Sequence, residues 1–311
     1  MTDDPMDDFL RRLIDGDPSL GILADAPPQH RKRVATALLM ERESAQEADM
    51  LGYQAQILVQ CSLPYRRQLL NEWTRTNGNV TLTLWAPKAI GLPYGAYPRL
   101  ILTWVTTEAV RTRSRELDLH DSLTRFIREV GINKHATGPQ IRRFRDQTRR
   151  LFATTITASL IDDRERVYDT GFRLASELRM WWDPVVASTH DPAHLVLSEE
   201  FYRAITERAI PVDLRALNAL KGSALALDIY SWLVHRLSYL KRPTTIPWEL
   251  LQVQFGSNYA ETRSGRYAFK KDFQEQLREV LQLYPDAKVT ADQQQGLILA
   301  PSRLAIGRRM E

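Results

Sequence analysis

The most concentrated chemistry in this chain is guanidinium chemistry. Arg142, Arg143, Arg145, Arg149 and Arg150 crowd one short stretch in which Asp146 is the single acid, and Arg263, Arg266, Lys270 and Lys271 stand ahead of Asp272 in a second. Cations at this density supply phosphate contacts, which carry most of the affinity for nucleic acid, and Arg also reads guanine edges bidentately. Tyr267 adds an aromatic ring to the second group. A lone basic run is more often a solvated helix face than a contact surface, so the weight rests on whether both runs occupy equivalent places.

Other chemistries find little support. The six histidines, His30, His120, His135, His190, His194 and His235, include no His-x-His pair. His190 and His194 have i, i+4 spacing, but Asp191-Pro192 between them breaks a helix and no His-Glu-x-x-His frame follows, which favours a loop over a zinc site. No Gly-x-x-x-x-Gly-Lys-[Ser/Thr] phosphate loop occurs. Asp162-Asp163 fall in an expected turn, and Trp181, Trp182 and Trp248 read as core aromatics. No catalytic residue, metal site or cofactor is expected.

The elements that would position the basic runs repeat. Tyr97 to about Arg115 predicts a helix around Trp104, Ser122 to Val130 a second stopped by Gly131, and Gln140 to about Phe152 a third. Thr154 to Ile161 then predicts a strand, followed by the charged turn Asp162 to Arg166 and an apolar return strand through Phe172 and Leu174 to Trp182. In the last third, Ala224 to Leu240 predicts a helix around Trp232. Pro247 opens another to Phe255, stopped by Gly256, and about Arg266 to Leu283 predicts a third. Lys288-Val289-Thr290 and Leu297-Ile298-Leu299 make a hairpin around Asp292 to Gly296. Gly131 precedes Phe144 by 13 residues and Gly256 precedes Phe269 by 13, as two copies of one module require. Upstream, Gln29 to about Gln60 predicts a helix and then a strand at Ile57-Leu58-Val59, and Val80 to Trp85 alternates as a strand.

Three helices and a hairpin form the winged version of the helix-turn-helix, whose third helix enters the major groove. The expected fold is therefore α+β, mainly helical, with two tandem winged-helix modules. Residues 1–30 form a partly disordered acidic arm, 31–195 an N-terminal module that dimerises, contacts DNA or both, and 196–311 a C-terminal DNA-binding module. The chain of 311 residues, 43% apolar, is long enough for two domains, and its one cysteine, Cys61, excludes an internal disulfide and suits a reducing cytoplasm. No apolar run is long enough for a membrane span, and the N-terminus lacks the charge of a signal peptide. The net charge of +4 divides into −5 over residues 1–50, +3 over 51–98, +5 over 99–173, −3 over 174–220 and +4 over 221–311. Such blocks suit a polyanionic partner, although a GC-rich genome would also explain Arg outnumbering Lys by 34 to 8.

The segments Phe255-Gly256-Ser257-Asn258-Tyr259, Tyr267 through Phe273 and Leu281 through Pro285, with Leu123 through Ile132 and Gly138 through Phe144, together resemble RepA-type plasmid replication initiators over roughly residues 50–305. The resemblance implies a cytoplasmic, non-enzymatic protein that binds directly repeated double-stranded DNA sites at a plasmid origin. It implies help in opening the origin, recruitment of a host initiator and replicative helicase, and a homodimer in equilibrium with monomer. DNA contact is carried to Arg142, Arg143, Arg145 and Arg149, and to Arg263, Arg266, Tyr267, Lys270 and Lys271. The alternatives are a winged-helix repressor of promoter DNA, a nickase or primase, and a purely structural dimer module.

Overall fold

The computed structural model describes residues 5–120, 122–132, 136–161, 167–180, 182 and 193–307. The charged turn expected at 162–166 and the residues His135, Trp181 and His190 lie outside them. The fold is α+β and mainly helical, and no described helix is long and apolar enough to cross a membrane.

The chain begins with α1 (Pro5–Asp15), α2 (Ile22–Asp25) and α3 (Pro28–Arg42). Within the segment expected as an arm, Leu10 and Leu13 on α1 are buried against Ala35 of α3. The stripe Phe9, Leu10, Leu13 and Ile14 at helical spacing gives α1 a face to bury, and burial of two leucines offsets the ordering entropy. Next come β1 (Leu51–Ala55) and α4 (Gln56–Gln60). The strand expected at Ile57-Leu58-Val59 is thus a helical turn, closed by Cys61 N–H donating to the Ile57 carbonyl at 3.0 Å, and the extended segment lies five residues earlier.

The first half continues with β2 (Glu72–Asn77), β3 (Val80–Trp85), α5 (Ala96–Thr112), β4 (Glu116–Asp118), α6 (Leu123–Glu129) and α7 (Gly138–Ala153). It then runs through β5 (Thr155–Ile161), β6 (Val167–Arg173), β7 (Ala175–Arg179) and β8 (His194–Leu197). A connecting region, α8 (Glu199–Glu207), β9 (Ala209–Asp213) and α9 (Leu214–Leu220), leads into α10 (Ala224–Ser238), β10 (Thr244–Ile246), α11 (Trp248–Phe255), α12 (Arg263–Leu281), β11 (Val289–Asp292) and β12 (Gly296–Leu299).

The two halves share a plan more specific than the one read from the sequence. In the second, β10, β12 and β11 form an antiparallel sheet in that order, and in the first, β4, β8 and β7 form another. Each sheet takes the short strand between its first two helices, then the later strand of a hairpin, then the earlier one. The hairpin expected between Thr154 and Trp182 exists as β5–β6, but it belongs elsewhere: it extends the β2–β3 hairpin into a sheet of order β2-β3-β5-β6. The strands in the place of the second half's hairpin are β7 and β8.

The aromatic cores match as well. Trp104 on α5 meets Phe126 on α6 edge-to-face at 4.8 Å, and Phe126 meets Phe144 on α7 at 5.7 Å. In the second half Trp232 on α10 meets Phe255 on α11 at 5.5 Å, and Phe255 meets Phe273 on α12 at 5.5 Å. The stop glycines share a spacing but not a reason. Gly131 adopts φ +83°, where a side chain is strained, whereas Gly256 is required by close approach, since a Cβ there would lie 2.6 Å from the Gln252 carbonyl oxygen.

Both halves contribute to one continuous apolar core. A cut at 195/196 would fall inside β8, and β1 pairs with β9 across the sequence of the whole first half. The strongest polar tie is buried. Arg99 on α5 donates from Nε and Nη2 to the two carboxylate oxygens of Asp228 on α10 at 2.7 and 2.8 Å, and its remaining hydrogens go to the Leu63, Pro64 and Gly95 carbonyls. Lys221 donates to the Gly131 carbonyl at 2.7 Å, and Arg33 of α3 pairs with Glu279 of α12 at 3.1 Å.

Candidate nucleic-acid interface

Helix α7 is started by Thr137-Gly138-Pro139-Gln140. The Thr137 N–H donates to the Gln140 side chain at 2.8 Å, and the proline occupies the first turn, where no backbone N–H is missed. Phe144, Gln147, Thr148, Leu151 and Phe152 then recur at i, i+3, i+4, i+7 and i+8 and are buried. This fixes the rotation of the helix, and Arg142, Arg143, Arg145 and Arg149 are left exposed on the remainder.

The cations of α7 are held without being neutralised. Asp146 takes Arg150 at 2.8 Å and also accepts from Gln147, so the helix's one acid is spent on the arginine that was not carried into the expected DNA set. Arg143 lies over the Tyr97 ring at 5.7 Å and Arg145 over Trp182 at 4.9 Å. A ring face orients a guanidinium and leaves its N–H groups available. Trp182, expected as a core aromatic, is half-buried and supports Arg145.

Helix α12 is capped by Thr262, whose hydroxyl accepts from the Gly265 N–H at 3.1 Å. Phe269, Phe273, Leu277 and Val280 are buried, so Arg263, Arg266, Tyr267 and Lys271 are exposed, Tyr267 to 73%. Lys270 differs from its neighbours. It is half-buried, lies 5.0 Å from the centre of the Trp248 ring and donates to the Gln293 carbonyl at the tip between β11 and β12. Lys270 therefore braces the hairpin against α12. The hairpin tip is itself closed by Asp292, whose carboxylate accepts from the Gln294 and Gln295 N–H groups and is held below its ordinary pKa by those bonds.

The structure thus keeps the expected residues in two groups, one on each third helix. It also places the β2 residues Trp73 and Arg75 in one groove with Arg266, because β2 comes against α11 only through the fold. Local spacing gives no signal for such a pairing. Cys61 is buried, and burial raises its thiol to a pKa of about 11, which makes it unreactive rather than a nucleophile. His194 lies beside Glu177 at 3.2 Å across the β7–β8 hairpin. Among the described residues no cluster of His, Cys, Asp and Glu is placed to hold a metal ion.

Comparison with known proteins agrees with this architecture. A crystal structure of domains 2 and 3 of RctB superposes with a TM-score of 0.51 at 14% identity, covering 81% of this chain and 97% of that one, which shows a shared fold. A second RctB structure of domains 2–3 gives a TM-score of 0.47 at 15% identity, covering 78% and 94%. No curated protein matches the chain. The family model described as plasmid-encoded RepA protein matches residues 92–249, from the loop before α5 to the start of α11. The match takes in the segments Leu123 through Ile132 and Gly138 through Phe144, while Phe255 through Pro285 fall beyond it. It covers just over half of the sequence, and on that ground the chain belongs to the family of plasmid-encoded RepA proteins.

Proposed function

We propose that this RepA family member initiates plasmid replication by binding directly repeated double-stranded DNA sites at the origin through two winged-helix modules, with α7 and α12 as the groove-facing helices. The observation that carries this reading is the duplication. Two exposed basic faces stand on the third helix of two halves whose sheets have the same strand order and whose cores have the same aromatic connections. A solvated charged face has no reason to recur at the same step of a repeated fold, whereas two groove-entering helices must carry cations there.

In this reading the two third helices supply phosphate contacts and base readout, and the β7–β8 and β11–β12 hairpins reach adjacent backbone. Melting of neighbouring DNA, recruitment of the host initiator and helicase, and dimerisation through the first half follow as further parts of the proposal. The chain's own contribution is recognition and positioning, without bond-making chemistry.

The test is footprinting on the plasmid DNA flanking the gene. Several equally spaced protected repeats are expected. A single protected palindrome at the promoter would favour a repressor, and no protection at either place would overturn DNA recognition altogether.

A further inference from the structure

Leu69 is the most exposed large apolar side chain among the described residues, fully open to solvent, and Leu70 beside it is 73% exposed. Both stand on the connection between α4 and β2, and that connection is tied down at each end. The Ser62 hydroxyl donates to the Gln254 carbonyl on α11 at 3.3 Å, Arg99 takes the Leu63 and Pro64 carbonyls, and the Gly95 N–H donates to the Pro64 carbonyl at 3.0 Å. At the far end the Ala86 N–H donates to the Asn71 carbonyl at 2.9 Å, and Gln68 bends across the middle to donate to the Arg66 carbonyl at 2.8 Å. The two leucines therefore project from a fixed base. A single exposed leucine is ordinary, but two neighbours held out together mark a contact surface.

Charge and position select the partner. Arg66 and Arg67, just before the leucines, are both exposed, and residues 51–98 contain one acid, Glu72, which stands in β2 opposite Trp85. An apolar tip beside two cations suits a partner with negative charge outside and stacked apolar surface within, as duplex DNA has. A Cβ on Gly95 would lie 3.9 Å from the Tyr65 carbonyl oxygen and 3.8 Å from Nη2 of Arg143, so the connection starts beside the basic face of α7. The charge of Arg66 acts on the Tyr259 hydroxyl, which itself donates to Asp272 on α12 at 2.7 Å. The projection thus lies near both third helices. Two helices that each occupy a major groove on one side of a duplex leave a minor groove facing the protein between them. Leucine is one of the side chains that enter this groove as a wedge, unstacking a base step and kinking the duplex by about 20–90°.

We propose that Leu69 and Leu70 enter the minor groove between the tracts held by α7 and α12 and unstack one base step, with Arg66 and Arg67 on the flanking phosphates. Withdrawal of the two leucines from water offsets the stacking that is lost. The proposal rests on the DNA-binding reading above and adds to it a means of deforming the duplex that neither third helix supplies.

The experiment places 2-aminopurine, an adenine analogue that brightens when its stacking is lost, at successive positions of a duplex carrying one protected repeat. Energy transfer between labels on the duplex ends reads bending in the same samples, and affinity is followed against salt concentration. The full chain is expected to raise the fluorescence several-fold at one step and to bend the duplex. Leu69→Ala with Leu70→Ala is expected to abolish both signals and to weaken binding about tenfold, with an unchanged salt slope because no phosphate contact is removed. Both side chains are exposed, so this variant should keep the melting temperature of the full chain. Arg66→Ala with Arg67→Ala is expected to lower the salt slope by about 2. A leucine variant that unstacks and bends DNA as the full chain does would overturn the proposal. One that is unaltered toward DNA but no longer self-associates in sedimentation would overturn it as well, and would assign the leucines to a contact between copies of the chain. Tight binding by the full chain with neither signal removes the wedge alone, whereas no binding by the full chain removes the underlying reading, which separates the two failures.

Discussion

The two halves of the molecule solve the same positioning problem with different means. Each places a buried phenylalanine at the seventh residue of its third helix, Phe144 on α7 and Phe269 on α12, and each leaves an exposed basic face opposite the core. On α7 the cations lean on rings, Arg143 on Tyr97 and Arg145 on Trp182, and the one acid is tied to Arg150. On α12 Arg263, Arg266 and Lys271 stand exposed, and the cation over a ring, Lys270, is committed to the hairpin. A repeated scaffold therefore fixes where a charge can stand, and local aromatic neighbours decide whether it is held in one orientation. Oriented guanidinium groups suit base readout, and mobile cations suit phosphate.

The comparison is broken most severely at the tie between the halves. Asp228→Ala leaves Arg99 buried with no counter-charge, and a loss of about 3–5 kcal/mol is expected in chemical denaturation. Asp228→Leu with Arg99→Met replaces the pair by apolar volume and is expected to recover most of that loss. Because both halves share one core, the single variant should unfold in one transition. Two resolved transitions would show halves that are stable separately.

A test of equivalence comes next in size. Phe144→Ala and Phe273→Ala empty corresponding places in the two aromatic cores, and each is expected to cost about 3–5 kcal/mol. Urea denaturation of both variants reads this directly. Values that differ by more than about 2 kcal/mol would show that shared topology does not bring shared packing.

The difference in cation support predicts a difference in what is lost. Arg145→Ala and Arg143→Ala on α7 are expected to lower discrimination between matched and mismatched sites by about 1–3 kcal/mol. Arg266→Ala and Lys271→Ala on α12 are expected to weaken all sites alike and to reduce the salt slope by about 1 each. Lys270→Ala should lower the melting temperature by releasing the hairpin, whereas Lys271→Ala should not. Interchange of the two specificity results would reverse the roles assigned to the helices.

Much of this comparison was legible in the sequence, because most of it is local. The apolar periodicity of α5, α7, α10 and α12 and the Asp292 to Gly296 tip each act within a few residues, while the Thr137 cap of α7 reads in the sequence as part of a loop. What was not legible depends on distant partners. The three-residue strand β4 is too short to alternate, and its pairing with β8 joins Leu117 to Leu195. That pairing, rather than the more obvious β5–β6 hairpin, makes the first sheet match the second. Arg99 and Asp228 are 129 residues apart, and each alone reads as an ordinary surface charge on a helix. Trp73 and Arg75 likewise come into one groove with Arg266 only where β2 meets α11.

The smallest effect lies at corresponding turns of the two first helices. The last turn of α5 carries Arg111, bonded to Glu108 at 2.6 Å, while the last turn of α10 carries His235 next to Arg236. Burial and the Arg236 charge lower the pKa of His235 below its ordinary value. A histidine with a depressed folded pKa binds fewer protons in the folded state than in the unfolded state. Its stabilising contribution is therefore complete above the unfolded value of about 6.5 and is lost as pH falls through the folded value. The full chain should lose more melting temperature between pH 7.5 and pH 5 than His235→Gln does, and Arg111→Gln should follow the unaltered chain. The difference between variants isolates this group from the carboxylates that titrate over the same range. Parallel curves for His235→Gln and the full chain would show that the two turns respond to acid alike, and would remove this distinction between the halves.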